Sequence, residues 1–197
     1  MNPPEEYPFD FFVHEAGHVV VNYALGASIV YVQTTGKSEH PFATGSDLTE
    51  PVARVKISLA GLMAEAAFLD QDNERFFGQY EEMIRIRPKQ PDWKNLTDTE
   101  QKIMRHARTD LSLAFVDAKD IIGRDDPNRI CGLLKTAWVE VHDIIRRNGQ
   151  ELKAVTADIK QWNQDGLSMR EILRWGGDSG RRSISVKRQG IVNGTLV

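Results

Sequence analysis

The spacing of apolar residues along this chain is mainly that of α-helices. An apolar run from Phe11 to Leu25 predicts a first helix, which should begin near Pro8 to Asp10 and end at Gly26. Proline suits the first turn of a helix, and glycine suits the position just past its end. The next segment, Ser28 to Thr34, is rich in β-branched residues and predicts a strand. Residues 36–45 are polar and contain Gly and Pro, which predicts a loop.

The rest of the chain predicts further helices joined by loops. Two segments, Thr97 to Glu100 and Ser168 to Glu171, have the pattern of a capping box, in which side chains satisfy backbone N–H groups at a helix start. Glycine and proline between residues 70 and 93 indicate a long loop. The predicted helices run from about Glu50 to Leu69, from Thr97 to near Arg108, from Asp110 to Gly123, from Asp126 to Arg147 and from Glu151 to Gln164, with a short last helix from Ser168. The expected fold class is therefore mainly α with a small β-sheet.

The composition is that of an ordinary globular chain. Of 197 residues, 41% are hydrophobic and 27% are charged, which is enough for one domain with its own core. The net charge of −3 gives no reason to expect nucleic acid as a partner. No apolar stretch approaches the length that spans a membrane, no segment looks like a signal peptide, and Cys131 has no second cysteine to pair with. We therefore expect a cytoplasmic protein.

A domain boundary is expected near residue 175. Residues 1–175 carry the helix and strand patterns, whereas the chain from Gly176 onward is rich in Gly, Ser and Arg. A segment of that composition buries too little apolar surface to order itself. The sequence therefore predicts one domain over residues 1–175 and a flexible C-terminal tail over residues 176–197.

The first predicted helix carries the clearest chemistry, an H-E-x-x-H sequence at residues 14–18. Residues four apart lie on one helix face, so His14 and His18 can both turn a ring nitrogen towards one metal ion. Glu15 points about 100° away around the helix and can reach a metal-bound water without binding the metal. Two imidazoles, a general base and an open coordination position are typical of zinc hydrolases. The sequence therefore predicts a Zn²⁺ site with His14 and His18 as ligands and Glu15 as the catalytic base.

A third protein ligand is expected from a later helix, and the residues by themselves leave it open. Glu65 is a carboxylate in apolar surroundings, which is costly unless it is paired or bound to a metal. Asp110 opens a predicted helix, where an acidic residue is also favourable as a cap. His106 lies four residues before Asp110 and would share its face if the helix continued. Glu65 and Asp110 are the two leading candidates, with His106 behind them.

Four segments, in the same order, resemble the peptidase domain of the FtsH family of AAA+ zinc metallopeptidases. They are similar to that family's HEAGH segment, AG-x-x-AE helix, NDL-x-x-A segment and L-x-x-x-EI ending. The segments are HEAGHVVV from His14, ISLAGLMAEAAF from Ile57, TDLSLAFVDA from Thr109, and a long helix followed by GLSMREI over Val139 to Ile172. Together they cover about residues 9 to 174. The resemblance implies a zincin-like architecture, mainly α with a small β-sheet beside the active-site helix.

The resemblance also implies roles for single residues. In that family the two histidines and the Asp of the NDL segment bind zinc, which assigns the metal to His14, His18 and Asp110. The Glu of H-E-x-x-H is the family's catalytic base, which corresponds to Glu15. The glutamate of AG-x-x-AE corresponds to Glu65, near the site but outside the metal's own ligands. The function implied is that of a zinc metalloendopeptidase that hydrolyses unfolded or exposed protein segments.

The chain also departs from the family. No ATPase module or membrane span accompanies the motifs, and residues 71–98 form a longer insertion than is usual there. We therefore expect a stand-alone peptidase that acts on protein or peptide substrates, with the strand over Ile29 to Thr34 as the edge on which an extended substrate pairs. A separate ATPase partner and a homo-oligomer stay open. Two other functions also stay open: a non-catalytic zinc-binding interaction or regulatory module with this fold, and a processing peptidase that clips one protein.

Overall fold

A computed structural model describes residues 9–34, 42–68, 77–78, 81, 108–164, 169–173, 185–187, 191–192 and 195–196. Five helices have their bounds in these ranges: α1 Phe9–Ala24, α2 Pro51–Phe68, α3 Arg108–Ile122, α4 Pro127–Arg147 and α5 Gly149–Gln164. Each helix begins and ends within a few residues of one that the sequence predicts. The mainly α fold class is therefore confirmed, while the zincin-like identity of the fold stays a prediction.

The local sequence explains several of the helix ends. Gly26 and Gly123 follow α1 and α3 with φ angles of 96° and 71°, in the left-handed region that glycine adopts most easily. Asp126 caps α4 by accepting a hydrogen bond from the backbone N–H of Arg129, and Pro127 occupies the first turn. These ends depend on single residues, which is why the sequence predicts them well.

The central helix of the fold is α2. Helices α1, α3 and α4 all pack against it, and α5 packs against α1. The fully buried side chains of α2 include Leu59, Leu62 and Met63. Where α1 crosses α2, a Cβ atom added to Gly17 would overlap Ala64 and the backbone of Ala60. The two helices approach closely because small residues face each other, and this contact sets the position of the H-E-x-x-H residues.

One antiparallel sheet contains the predicted first strand. Its strands are β1 Ile29–Thr34, β2 Phe42–Ser46, β3 Met169–Leu173 and β4 Ser185–Lys187, in the order β2-β1-β3-β4. Val30 and Val32 are buried while Tyr31 and Gln33 are exposed, so one face of β1 packs inward beside α1. The prediction of a small sheet beside the motif helix is confirmed. Two short strands, β5 Ile191–Val192 and β6 Thr195–Leu196, form a separate pair.

The sheet corrects three predictions. Residues 42–45 lie in the segment predicted as a loop but form β2 together with Ser46, because pairing with β1 compensates for a sequence of low strand propensity. The prediction of a short last helix is wrong over residues 169–173, which pair with β1 as β3, so a partner distant in sequence outweighs the local capping pattern. β1 is not an edge strand, because β2 and β3 flank it. Among the strands that the structure describes, β2 and β4 lie at the two edges of this sheet.

Several other predictions fall outside the described residues. These are the helix from Thr97, the residue His106 and most of the loop over residues 70–93, within which residues 77–78 and 81 are helical. The domain boundary near residue 175 and the flexibility of residues 176–197 stay predictions, with residues 185–187 paired to β3. In the ranges that the structure describes, every helix is too short or too polar to span a bilayer.

Candidate metal centre and its cleft

Three side chains from two helices converge at one point. His14 and His18 lie one turn apart on α1, and Asp110 lies in the first turn of α3. His14 Nε2 lies 3.1 Å from His18 Nε2 and 2.8 Å from Asp110 Oδ2, and that oxygen lies 3.2 Å from His18 Nε2. Ligand atoms around a tetrahedral zinc ion are about 3.3 Å apart, given bonds of about 2.0–2.1 Å. The group could therefore hold a metal ion with little rearrangement.

Contacts behind the two rings determine which nitrogen of each ring faces the centre. His14 Nδ1 donates to Glu65 Oε1 at 2.6 Å, and His18 Nδ1 donates to the carbonyl oxygen of Ile57 at 2.8 Å. A neutral imidazole carries a single N–H, so both Nε2 atoms then present lone pairs. Two lone pairs and the Asp110 carboxylate in such proximity repel one another unless positive charge lies among them. The donor set is that of a cation site.

The same arrangement shifts the pKa values of the metal-free chain. Burial lowers the pKa of His14, but its hydrogen bonds to Asp110 and Glu65 outweigh burial and raise that pKa well above its usual value. The pKa of His18 is also raised, since the charge of Asp110 and the hydrogen bond to it outweigh burial. Burial acts to raise the pKa of Asp110, yet the two histidines hold it well below its usual range. Without a metal, protons supply the positive charge that these groups require.

Helix α2 fixes the His14 ring from behind. A Cβ atom added to Gly61 would overlap the ring at Nε2, Cε1 and Cδ2, so only glycine leaves room for it. One turn further along α2, Glu65 is fully buried and accepts the hydrogen bond from His14 Nδ1. Position and tautomer of this ring are therefore both set by α2.

The carboxylate of Glu15 is held by strand β2. Glu15 is 5% exposed, and its Oε2 accepts a 2.6 Å hydrogen bond from Thr44 Oγ1. Two residues along β2, Ser46 Oγ donates to the side-chain oxygen of Asn22, whose amide donates to the carbonyl oxygen of His18 at 2.9 Å. Two hydroxyl groups on one face of β2 therefore connect this strand to the motif helix.

A cleft of about 540 Å³ opens over these residues. It is lined by side chains of α1, by β2, by the first half of α2 and by one face of α3. Apolar residues that line it include Phe11, Leu48, Ile57 and Leu113. A cleft of this size with a few polar groups among apolar ones is typical of ligand-binding sites.

The structure places most of the predicted site residues together. The three residues assigned to the metal converge, and Glu15 lines the same cleft beside them. Glu65 contacts His14 Nδ1 and is not one of the converging ligand atoms, in agreement with the position that the family resemblance implies. His106 lies outside the described residues. The roles of these residues in metal binding and catalysis stay predictions.

Two features of the cleft are not found by the sequence reasoning. Thr44 lies in a segment predicted as a loop, so its contact with Glu15 had no local signal. Arg54 Nη2 donates to Asp117 Oδ1 at 2.6 Å across the cleft wall. Asp117 follows Asp110 at a spacing of two helical turns, and that spacing on one face of α3 is a signal that could have indicated it.

Comparison with models of protein families, with curated proteins and with solved structures found no match to this chain. The functional assignment therefore depends on the geometry of the cleft and on the resemblance of the motifs.

Proposed function

We propose that this chain is a zinc-dependent endopeptidase with the FtsH-type peptidase architecture that its motifs resemble. The observation that carries the proposal is the convergence of His14, His18 and Asp110 beside the Glu15 carboxylate in one cleft. Each element alone has an ordinary structural explanation. Their combination provides a metal position, a base and room for a substrate in one place.

The residues present fit zinc better than a harder cation. Two imidazole nitrogens with one carboxylate oxygen form a typical zinc set, whereas Ca²⁺ and Mg²⁺ take mainly oxygen ligands. Bound to three protein ligands, zinc lowers the pKa of a coordinated water to about 7 and polarises a substrate carbonyl. By accepting a hydrogen bond from each Nδ1, Glu65 and the Ile57 carbonyl hold both rings in the tautomer that a ligand needs.

Glu15 would act as the general base. The Thr44 hydroxyl donates a hydrogen bond to Oε2 of Glu15. The other oxygen, Oε1, would take a proton from the attacking water and pass it to the leaving amine. Because Glu15 directly follows His14, its side chain points about 100° around α1 and stays out of the ligand group. Metal binding and proton transfer therefore belong to different residues.

Strand β2 is the site at which an extended substrate would pair. It lies at the sheet edge and lines the cleft beside Glu15. A peptide added to such an edge binds through backbone hydrogen bonds, which any sequence can make. The proposed substrates are therefore unfolded or exposed protein segments, and the need for a separate ATPase partner stays open.

The deciding experiment compares wild type with Glu15→Gln after both are loaded with zinc. We expect wild type to cleave unfolded casein without ATP, and the variant to lose about 10²- to 10⁴-fold in rate because the base is gone. Zinc content and the thermal unfolding temperature of the variant should stay unchanged. Asp110→Ala serves as the contrast, since it should lose zinc as well as activity. Wild-type protein with full zinc occupancy that cleaves no unfolded substrate would overturn the proposal.

A further inference from the structure

The cleft contains one ion pair that the proposed chemistry does not use. Arg54 on α2 donates from Nη2 to Oδ1 of Asp117 on α3 at 2.6 Å, and both residues line the cleft. Asp117 is only 7% exposed, whereas the Arg54 side chain is 52% exposed. The pair therefore joins a buried carboxylate to a cation that is half in the solvent of the cleft.

The guanidinium group of Arg54 has binding capacity left over. It carries five N–H donors in one plane, and one carboxylate contact does not saturate them. Asp117 holds the group in one orientation, so a second carboxylate would not need to order a free arginine side chain. Among the cleft-lining residues that the structure describes, Arg54 is the one side chain with a permanent positive charge.

The distance from this pair to the metal-ligand group suits a peptide. Arg54 lies two helical turns before Gly61, against which the His14 ring packs, and Asp117 lies two turns after Asp110. Two turns of α-helix rise roughly 10.5 Å, and residues seven apart lie on nearly one face. An extended peptide spans about 3.3 Å per residue, so roughly three residues separate the two positions.

We propose that Arg54, positioned by Asp117, forms a subsite for a carboxylate of the peptide substrate, about three residues from the bond that is cut. That carboxylate belongs either to an Asp or Glu side chain or to the C-terminus of the substrate, because a guanidinium binds the same group in each. This subsite rests on the proposed peptidase function for its role in substrate selection. Binding of the carboxylate itself does not require turnover.

The test uses the zinc-loaded full chain and internally quenched peptides. The bond that is cut is first identified by mass spectrometry of the products. Matched peptides then carry Asp or Asn at a single position, two to four residues from that bond on either side, and a further pair ends in a free carboxylate or an amide. We expect kcat/KM for one carboxylate peptide to exceed that of its neutral partner by about tenfold, the value of one partly exposed charged hydrogen bond. The position of the effect distinguishes a side chain from a C-terminus.

Three variants show whether Arg54 causes the preference. Arg54→Gln should reduce the ratio to about one. Because that change leaves Asp117 buried without its partner, the double variant Arg54→Gln with Asp117→Asn is tested as well: it keeps a neutral contact between α2 and α3 but has no guanidinium. The control is Lys119→Gln on α3, where an exposed ion pair with Asp125 lies outside the cleft lining, and it should retain the wild-type ratio.

Equilibrium binding separates this subsite from the catalytic proposal. The same peptides, labelled for fluorescence anisotropy, are titrated with wild type and with the double variant. Cleavage that shows no Asp-over-Asn preference, or a preference that the double variant keeps, overturns the subsite and leaves the peptidase proposal intact. Charge-dependent binding without any cleavage supports the subsite and overturns the peptidase. If the protein shows no cleavage and no charge-dependent binding, both proposals are overturned.

Discussion

The cleft has two walls that hold their side chains in different ways. The helical wall, formed by α1, α2 and α3, supplies every converging ligand atom, and its histidines are buried and backed by other groups. The strand wall, formed by β2, is half-buried and contributes hydroxyl groups such as that of Thr44. On the helical wall a ring lies against a glycine with no spare room. On the strand wall one hydrogen bond positions one carboxylate.

This difference separates two requirements of a hydrolytic site. A metal ion needs ligand atoms placed within a few tenths of an ångström, and close-packed helices provide that because neither can move without a clash. A general base needs a direction and room for proton transfer, which a single hydroxyl contact provides. Changes to the ligands of the helical wall, or to the groups that hold the ligand rings, should therefore affect metal binding, whereas changes to the strand wall should affect turnover alone.

The largest effect is expected from Gly61→Ala. The added methyl group would occupy the space of the His14 ring, so the ring must move and one ligand is misplaced. We expect zinc affinity to fall by more than about 100-fold, beyond the loss typical of contacts outside the ligand set, as measured by competition with a chelator. Gly132→Ala in α4 is the control: nothing lies within 4 Å of its added Cβ, so the variant should gain about 0.5–1 kcal/mol in free energy of unfolding and keep its zinc affinity. Equal zinc affinity in the two variants would refute the tight packing of the His14 ring against Gly61.

A smaller effect is expected from Glu65→Gln. The amide keeps the volume and can still accept from His14 Nδ1, but it no longer carries the charge that makes the ring a better ligand. Zinc affinity should fall by about 10- to 100-fold, with kcat much less affected once the site is saturated. The exposed Glu140, which pairs with Lys56, is a suitable control, and Glu140→Gln should leave zinc affinity unchanged. If Glu65→Gln bound zinc as wild type does, its contact with the ring would be structural only.

On the strand wall, Thr44→Val should lower kcat and leave zinc affinity as it is. The isosteric side chain removes the hydroxyl that donates to Glu15 Oε2, so the carboxylate loses its fixed orientation. The expected loss is about fivefold to tenfold, which corresponds to roughly 1–1.4 kcal/mol for one hydrogen bond to a charged group. Thr44→Ser restores the hydroxyl and should recover most of the rate. A Thr44→Val variant that binds zinc weakly would contradict the separation of the two walls.

The smallest effect concerns the pH dependence of stability in the metal-free chain. The raised pKa values of His14 and His18 contribute stability that is fully present below about pH 6.5, their unfolded value, and that is lost as the pH rises through the folded values. The lowered pKa of Asp110 contributes stability above its unfolded value, and this is lost in acid. Chelator-treated protein should therefore unfold at lower temperature as the pH rises from 6.5 to 8.5. The unfolding temperature of zinc-loaded protein should instead rise or stay constant over this pH range, because protons compete with the metal for its ligands. Parallel trends in both forms would show that these groups are not coupled to the metal position.

The helical wall could largely be predicted from sequence, and the reason is local. His14 and His18 are placed on one face by helical spacing alone, and α1 begins and ends at residues that set helix ends. The third ligand could not be derived from the residues by themselves, because helix spacing does not show which carboxylate of a distant helix approaches. Motif resemblance selected Asp110, and the structure places its carboxylate against both rings.

The strand wall could not be predicted, because β2 depends on pairing with another strand and not on its own local sequence. The segment Phe42–Ser46 contains two small residues and a glycine, so its local preference is weak, and its strand exists through its register with β1. Residues 169–173 show the same effect more strongly, since a capping pattern there gives way to pairing with β1. Thr44 was missed for the same reason, whereas the Arg54–Asp117 pair depends on how two helices pack against each other.

The pairing of β2 with β1 has a consequence for how this site can change in evolution. Thr44 and Ser46 face α1 because they lie opposite Val32 and Val30, and Gly45 accommodates the Tyr31 ring where a Cβ atom would overlap it. A shift of the register by one residue would turn Ala43 and Gly45 inward instead, and neither has a hydroxyl group. The contacts with Glu15 and Asn22 would then be lost together. A register shift would therefore change the contacts of both hydroxyl groups at once, whereas a substitution at Thr44 changes only the contact with Glu15.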